Sequence, residues 1–279
     1  MSQPLRIEVV GETNVGMKRN HNEDNFAILE EEGLYIVADG MGGHASGEVA
    51  SQLAVDTIRD FFRATSADPD KTWPYKMDRG KGYEENRLIT AIKLANLKIY
   101  EEAQNNIGKR GMGTTVVAAF AVEGGVYLSH VGDSRIYRIR DNKIEQLTED
   151  HSLLNDYIKM KRLSAEEIAN FPHKNVIVRA LGMKENVKVD TRFEAPRGGD
   201  IVLLCSDGLC GPVDDPDILA IVRSSSDLKG AVRRLIARAN ENGGPDNISC
   251  AAFSIAGDAL PEPSLPVSIT SLTPPPTFR

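Results

Sequence analysis

The chain has 279 residues, and its 33 Lys and Arg against 40 Asp and Glu give a formal net charge of -7. That balance excludes a diffuse basic surface for gripping nucleic acid or anionic lipid, because phosphate neutralisation needs clustered cations. Hydrophobic residues at 41% and charged residues at 26% are ordinary for a globular protein and exclude disorder of the whole chain.

In chain order, strand-type runs come first, at 5–10, 25–30 and 34–38, the last two separated by a Glu-Glu-Gly turn at 31–33. The period then changes: Ala50, Leu53, Ala54, Ile58, Phe61 and Phe62, and later Leu88, Ala91, Ile92, Ala95 and Ile99, recur at helical spacing. Between the two helices, 65–83 is polar and rich in turn residues, a long surface insertion. Strands return at 114–121, 126–131, 135–140 and 143–147, with hairpin-length breaks that demand antiparallel pairing. A helical stretch over about 151–170 carries a capping box, Ser164 with Glu167. Two strands at 187–194 and 200–205, a short helix opened by Asp215-Pro216, a helix over 227–240 and a strand at 248–255 complete the pattern. Strand runs and helix pairs without βαβ alternation predict an α+β fold with antiparallel sheets. The expected organisation is a single domain over 1–257 and a Pro-rich disordered tail over 258–279.

Three cysteines, Cys205, Cys210 and Cys250, do not make a disulfide framework. The N-terminus lacks an apolar signal core, and no apolar run approaches the roughly 20 residues that a membrane span needs. A cytoplasmic protein with no membrane and no nucleic-acid partner is expected.

The informative acids sit at strand ends. Asp39 follows the apolar run 34–38 and precedes Gly40; Asp207 follows 201–206 and precedes Gly208; Asp133 follows 127–132; Asp246 lies between a Gly-Gly-Pro turn and the last strand. Glu23 and Asp24 open a strand, so six carboxylates can converge at the rim of a sheet. Crowded carboxylates without nearby Lys or Arg imply a cation, and all-oxygen ligation suits Mg²⁺ or Mn²⁺ before Zn²⁺. Two such ions about 3.5–4 Å apart can share a water, lower its pKa and hold it in line with a phosphorus. Arg19, four residues before Glu23, offers a fork for the phosphate.

Eight ordered motifs accompany these acids: Arg19-Asn-His-Asn-Glu-Asp24, Val37-Ala-Asp-Gly-Met-Gly-Gly-His44 with Gly47-Glu-Val-Ala-Ser51, Gly111-Met-Gly-Thr-Thr115, His130-Val-Gly-Asp-Ser-Arg135, Leu147-Thr-Glu-Asp-His151, Arg179-Ala-Leu-Gly182, Cys205-Ser-Asp-Gly-Leu209 and Asp246-Asn-Ile-Ser249. In order and spacing they resemble the motifs of the metal-dependent protein phosphatases, type 2C, in their bacterial form, over about residues 7–255. The resemblance implies a β-sandwich of two antiparallel sheets flanked by helix pairs, a four-layer αββα arrangement. It also implies hydrolysis of phosphoserine and phosphothreonine in proteins by a hydroxide bridging two Mn²⁺ or Mg²⁺ ions, without a phosphoenzyme.

Carried over, Asp39 bridges both metals, Asp207 and Asp246 bind the first, and the Gly40 carbonyl with Glu23, through water, holds the second. Arg19 binds phosphate, Asp24 orients water near it, and Asp133 with Asp207 takes a third, weaker metal. The segment 151–178 resembles a mobile flap beside the site. The implied partners are phosphorylated proteins, including a Ser/Thr kinase and its targets, for a monomeric enzyme. One departure concerns proton donation: animal members carry His directly after the Asp-Gly, where this chain has Met41, which leaves His44 or a metal-bound water as the candidate donor.

Two rivals come from other classes. Gly40-Met-Gly42-Gly-His-Ala45 follows a strand and opens a helix as a dinucleotide-binding fingerprint does, but the helix runs into 65–83 instead of a second acid-ended strand. A catalytically inactive sensor on the same fold conflicts with the presence of every metal acid. A cysteine nucleophile lacks its Arg, and no apolar strand runs into the Asp-x-Asp of an aspartyl-phosphate mechanism. His130 and His151 are assigned structural hydrogen bonding.

Overall fold

The apolar runs become strands because each has a covered face to fill, and where both faces are covered the run is continuous: β10 (Asp200–Cys205) is buried at every position. The computed structural model describes residues 5–42, 46–68, 70–161, 163–169, 171–172, 176–257 and 260–261. Ahead of β10 in the chain lie β1 (Arg6–Asn14), β2 (Asp24–Leu29), β3 (Leu34–Met41), α1 (Ser46–Ala67), α2 (Tyr83–Asn105), β4 (Gly113–Thr114), β5 (Val116–Val122), β6 (Gly125–Val131), β7 (Arg135–Arg140), β8 (Lys143–Gln146), α3 (Leu153–Lys161), α4 (Ala165–Ala169) and β9 (Asp190–Glu194). After it come α5 (Asp207–Cys210), α6 (Asp215–Ser224), α7 (Leu228–Glu241) and β11 (Ile248–Ala256).

One sheet has the order β1-β11-β10-β7-β8 and the other β2-β3-β5-β6-β9, with β4 paired to the end of β3. Between them Tyr35, Val37, Val117 and Leu128 meet Ile136, Val202, Leu204 and Phe253, and the Tyr35 and Phe253 rings lie 4.8 Å apart. On the outer face of the second sheet, α1 and α2 bury Ile58, Phe62, Leu88, Ile92 and Ile99 against Leu34, Ile36 and Ala118. On the outer face of the first, α6 and α7 bury Ile218, Val222, Val232 and Leu235 against Leu203, Cys205 and Cys250. Each fully buried aliphatic side chain contributes roughly 1.5–3 kcal/mol. The expected αββα sandwich is the observed architecture.

Element boundaries differ from expectation where tertiary pairing overrides local pattern. The strand expected over 114–121 is interrupted at Thr115, because Thr114 leaves the hairpin to bridge Leu181. The single helix expected over 151–170 is two, α3 and α4, with Ser164 capping the second: Glu167 Oε2 accepts from Ser164 N–H at 2.7 Å and Ser164 Oγ from Glu167 N–H at 3.2 Å. The strand expected from 187 begins at Asp190, where pairing with β6 begins. The third strand runs past Asp39 to Met41, because Gly40 and Met41 pair with β4. The short α5 was not foreseen. The tail expected over 258–279 lies outside the described residues except 260–261. There Leu260 packs beside Leu5, and the Pro261 carbonyl accepts from Gly198 N–H at 3.0 Å. No described helix is long and apolar enough to cross a membrane.

Candidate metal centre

The two sheets bring their acids to one end of the sandwich. Asp39 is in β3 of one sheet and lies opposite Asp24 in the β2–β3 register. Asp207 follows β10 of the other sheet, and Asp246 precedes β11 beside it. Arg19, Glu23, Asp39, Gly40, Asp207 and Asp246 line one cleft of about 440 Å³, with Met41, Ile177 and Met183 as its apolar wall. A second cleft of about 630 Å³ shares Asp207 and Asp246 and adds Asp133, Arg135 and Asp150.

Close backbone approach makes this possible, and glycine permits it. A Cβ at Gly208 would stand 1.9 Å from the Asn247 carbonyl oxygen, and one at Gly40 would stand 2.2 Å from that of Gly47. Polar side chains then pin the loops. Glu23 N–H donates to Asn247 Oδ1 at 2.8 Å, and the Asn247 amide donates to the carbonyls of Val15 and His21, both at 2.9 Å. Ser51 Oγ donates to the Glu23 carbonyl at 2.5 Å. The Asp39 carbonyl accepts from Thr115 N–H and from Thr114 Oγ1, both at 2.8 Å.

The acids repel one another in the absence of a cation. Burial first, then the charges of Asp24, Asp207, Asp133 and Asp246, push the Asp39 carboxyl well above the carboxylate range. Burial and Asp246 raise Asp207, while burial, Asp207 and Asp150 push Asp133 up to about 7. Asp133 Oδ1 is buried with no hydrogen-bond partner. The positive charges nearby are committed: Arg19 donates to Asp246 Oδ2 at 2.7 Å, and Arg135 holds Asp150 through Nε at 3.0 Å and Nη2 at 2.7 Å. Oxygen-only donors, mutual repulsion and an orphaned buried carboxylate fit hard divalent cations.

Asp24, expected to orient water, is not among the residues that line either cleft. It is 6% exposed, lies opposite Asp39 on the neighbouring strand and accepts from Ser206 Oγ at 2.8 Å. Its carboxyl is pushed up to about 7 by burial, against the lowering effect of the Ser249 and Ser206 hydrogen bonds. Arg19 stands at the rim, its side chain 49% exposed. His44 lies outside the described residues.

Sequence reasoning passed over Asn247, Ser206, Ser51 and His21, whose Nε2 lies 3.1 Å from Glu23 Oε1. Their positions beside the acids in the quoted motifs were the available signal. His130 and His151 have the structural bonding expected of them. The rings stack at 4.7 Å, and His151 Nδ1 accepts from Gly132 N–H at 3.0 Å while Nε2 lies 2.9 Å from Asp190 Oδ2. With Asp190 they form a group that a metal could bridge among the described residues, but an Arg179 Nη1 at 3.0 Å from Asp190 already supplies its positive charge.

Residues 17–251 match the family model for protein phosphatase 2C. The chain is 38% identical over 244 residues to the serine/threonine phosphatase stp of Listeria welshimeri, covering 85% of this chain and 91% of that one. The structure of serine/threonine phosphatase Stp1 from Staphylococcus aureus is similar at a TM-score of 0.80 and 32% identity, covering 92% of this chain and 98% of that one. The catalytic domain of the phosphatase PstP in complex with two manganese ions is similar at a TM-score of 0.74 and 31% identity, covering 91% and 100%.

Proposed function

The chain belongs to the protein phosphatase 2C family and is a metal-dependent protein serine/threonine phosphatase, and from that premise we propose how the residues of its cleft divide the work. Asp39 would be shared by two divalent ions, the first held also by Asp207 and Asp246 and the second by the Gly40 carbonyl and, through water, Glu23. Mn²⁺ and Mg²⁺ both suit this oxygen-only set, and Asp133 with Asp207 offers a third, weaker position. When bound, the ions neutralise phosphoryl charge and acidify water.

The chain's own groups do the rest. Arg19 binds the phosphoryl oxygens by its guanidinium fork at the rim, where Asp246 already orients it. Asp24 acts from the neighbouring strand, through Asp39, as a positioning residue. Met41, Ile177 and Met183 limit water on one side of the cleft. His44 is the proposed proton donor to the departing seryl or threonyl oxygen. Residues 1–257 act as one monomeric catalytic domain in the cytoplasm, with 151–178 as a flap, on phosphorylated proteins that include a Ser/Thr kinase and its targets.

The observation that supports this reading is the meeting of carboxylates from both sheets around a cleft with one arginine at its mouth. Release of phosphate from a phosphothreonine peptide tests it. Activity is expected only with Mn²⁺ or Mg²⁺, to vanish with EDTA, and to fall by roughly 10³-fold or more in Asp39→Asn and Asp207→Asn. In the same assay His44→Ala is expected to slow the peptide more than p-nitrophenyl phosphate, whose leaving group needs no proton. Full activity in EDTA would overturn the assignment.

A further inference from the structure

The insertion between α1 and α2 is tightly seated. Trp73 packs against Phe61 and Tyr83, with ring centres 5.7 and 5.1 Å away. The buried Asn86 amide donates to the carbonyls of Asp78, Lys81 and Gly82 at 2.9–3.1 Å, and Asn86 Oδ1 accepts from Asp78 N–H at 2.8 Å. So anchored, the insertion forms one wall of a cleft of about 510 Å³ whose floor is α2 and whose far wall is 186–189.

Lys76, Lys81, Lys93 and Lys188 line this cleft with one acid, Asp78, while its Tyr75 hydroxyl is raised by burial first and then by the nearby charges of Glu101 and Glu185. Asp78 Oδ1 is engaged by Gly80 N–H at 2.9 Å. Lys81 pairs with Glu85, and Lys188 Nζ lies 3.4 Å from Asp190. Among the described residues no carboxylate pairs with Lys76 or Lys93; Lys93 Nζ instead stands 5.9 Å from the centre of the Tyr75 ring. Two ammonium groups without a carboxylate partner among the described residues, that of Lys93 over the Tyr75 ring, in a walled cleft, suit an anionic peptide.

The cleft is also close to the metal centre along one segment. Met183 lines the active cleft and Lys188 lines this one, five positions further on. At 3.3–3.6 Å per residue the two lie at most about 17 Å apart along the chain. Asn96 holds the segment between them, donating to the carbonyls of Lys184 at 3.0 Å and Glu185 at 2.8 Å.

We propose that this lysine cleft is a docking site for an acidic stretch of the phosphoprotein substrate, about five to ten residues from the phosphorylated side chain. The proposal rests on the protein-phosphatase activity and adds a substrate class to it. Docking outside the reacting centre contributes uniform binding, so it lowers KM and leaves kcat alone.

The test uses the full chain with Mn²⁺ and three substrates: a phosphothreonine peptide with a run of four glutamates in that window, the same peptide with glutamines, and p-nitrophenyl phosphate. The acidic peptide is expected to have a KM about five- to tenfold below the glutamine peptide at low salt, with the gap closing at about 0.5 M NaCl. Lys76→Glu with Lys93→Glu should remove the gap without changing turnover of the other two substrates, and Lys76→Gln with Lys93→Gln should remove part of it. Equal KM for both peptides in the parent protein would overturn the proposal. So would equal losses on all three substrates in the variants. Failure of the parent protein on p-nitrophenyl phosphate and both peptides would instead strike the phosphatase activity itself.

Discussion

A Cβ added at Gly47 would stand 2.7 Å from Glu23 Oε2 and 2.9 Å from the Gly40 carbonyl carbon, so the first turn of α1 is moulded around two proposed ligands of the second ion. In an unobstructed helix, Gly→Ala is stabilising by up to about 1 kcal/mol. Here the methyl must displace Glu23 or the β3 terminus, at a cost of roughly 1–3 kcal/mol. Gly47→Ala is therefore expected to be neutral to destabilising and to raise the Mn²⁺ concentration for half-maximal activity about tenfold. Urea unfolding and a metal titration check both, and a stabilised variant with an unchanged metal requirement would refute the close-packing account. At this scale the acids were legible because each strand-ending Asp, Asp246 apart, carried its own local mark. Ser206 was not, because its role depends on Asp24, 182 positions away in sequence.

The proposed flap, 151–178, is fastened at its base. Leu153 N–H donates to Val176 O at 2.8 Å and Val178 N–H to His151 O at 2.9 Å, closing both ends of the segment into one stem. His151 anchors that stem: it stacks on His130, lies beside Asp190 and Arg179, and is pulled down to about 4, chiefly by burial. His130 is lowered too, by burial first, whereas Asp190 is held at about 2 against burial by its His151 and Arg179 hydrogen bonds. A folded-state histidine pKa below its unfolded value means that the unfolded chain binds more protons between pH about 6.5 and 4. Acidification through that window destabilises the fold, while Asp190 keeps its charge until lower pH. The stability advantage of the parent over His151→Gln, neutral at every pH, should shrink by about 1–2 kcal/mol between pH 7 and 4.5. A constant difference in urea unfolding would mean that His151 is not held neutral. The sequence pattern revealed a helical segment here and its capping box. The closure of the stem was hidden because it joins residues 25 positions apart through backbone groups alone.

Over the whole molecule, the two-sheet sandwich was accessible only through the family resemblance and the strand order was not read at all, since the pairing of β1 with β11 joins Arg6 to Ala256 across nearly the full chain. No local pattern carries such a contact. With the proposed ligand set, that topology predicts that the metals act on stability as well as on chemistry. Asp39 belongs to one sheet and Asp207 and Asp246 adjoin strands of the other, so ions held as proposed would tie the two sheets together at one end of the sandwich. Metal-free, the charges that raise Asp39 and Asp207 work against the fold; with ions bound as proposed, they would favour it. Asp39→Asn removes a buried carboxyl whose ionisation this cluster opposes and also removes the proposed shared ligand. In EDTA the variant should therefore melt above the parent protein, by about 2–4 °C if the relieved repulsion is about 1 kcal/mol. In saturating Mn²⁺ the order should reverse, because at 100-fold excess over its dissociation constant a bound ion adds about 2.7 kcal/mol to the parent, and the variant forfeits part of that. Thermal unfolding of both proteins under both conditions reads the crossing directly. A variant that melts below the parent in EDTA would show that Asp39 is held by its hydrogen bonds and does not strain the metal-free fold.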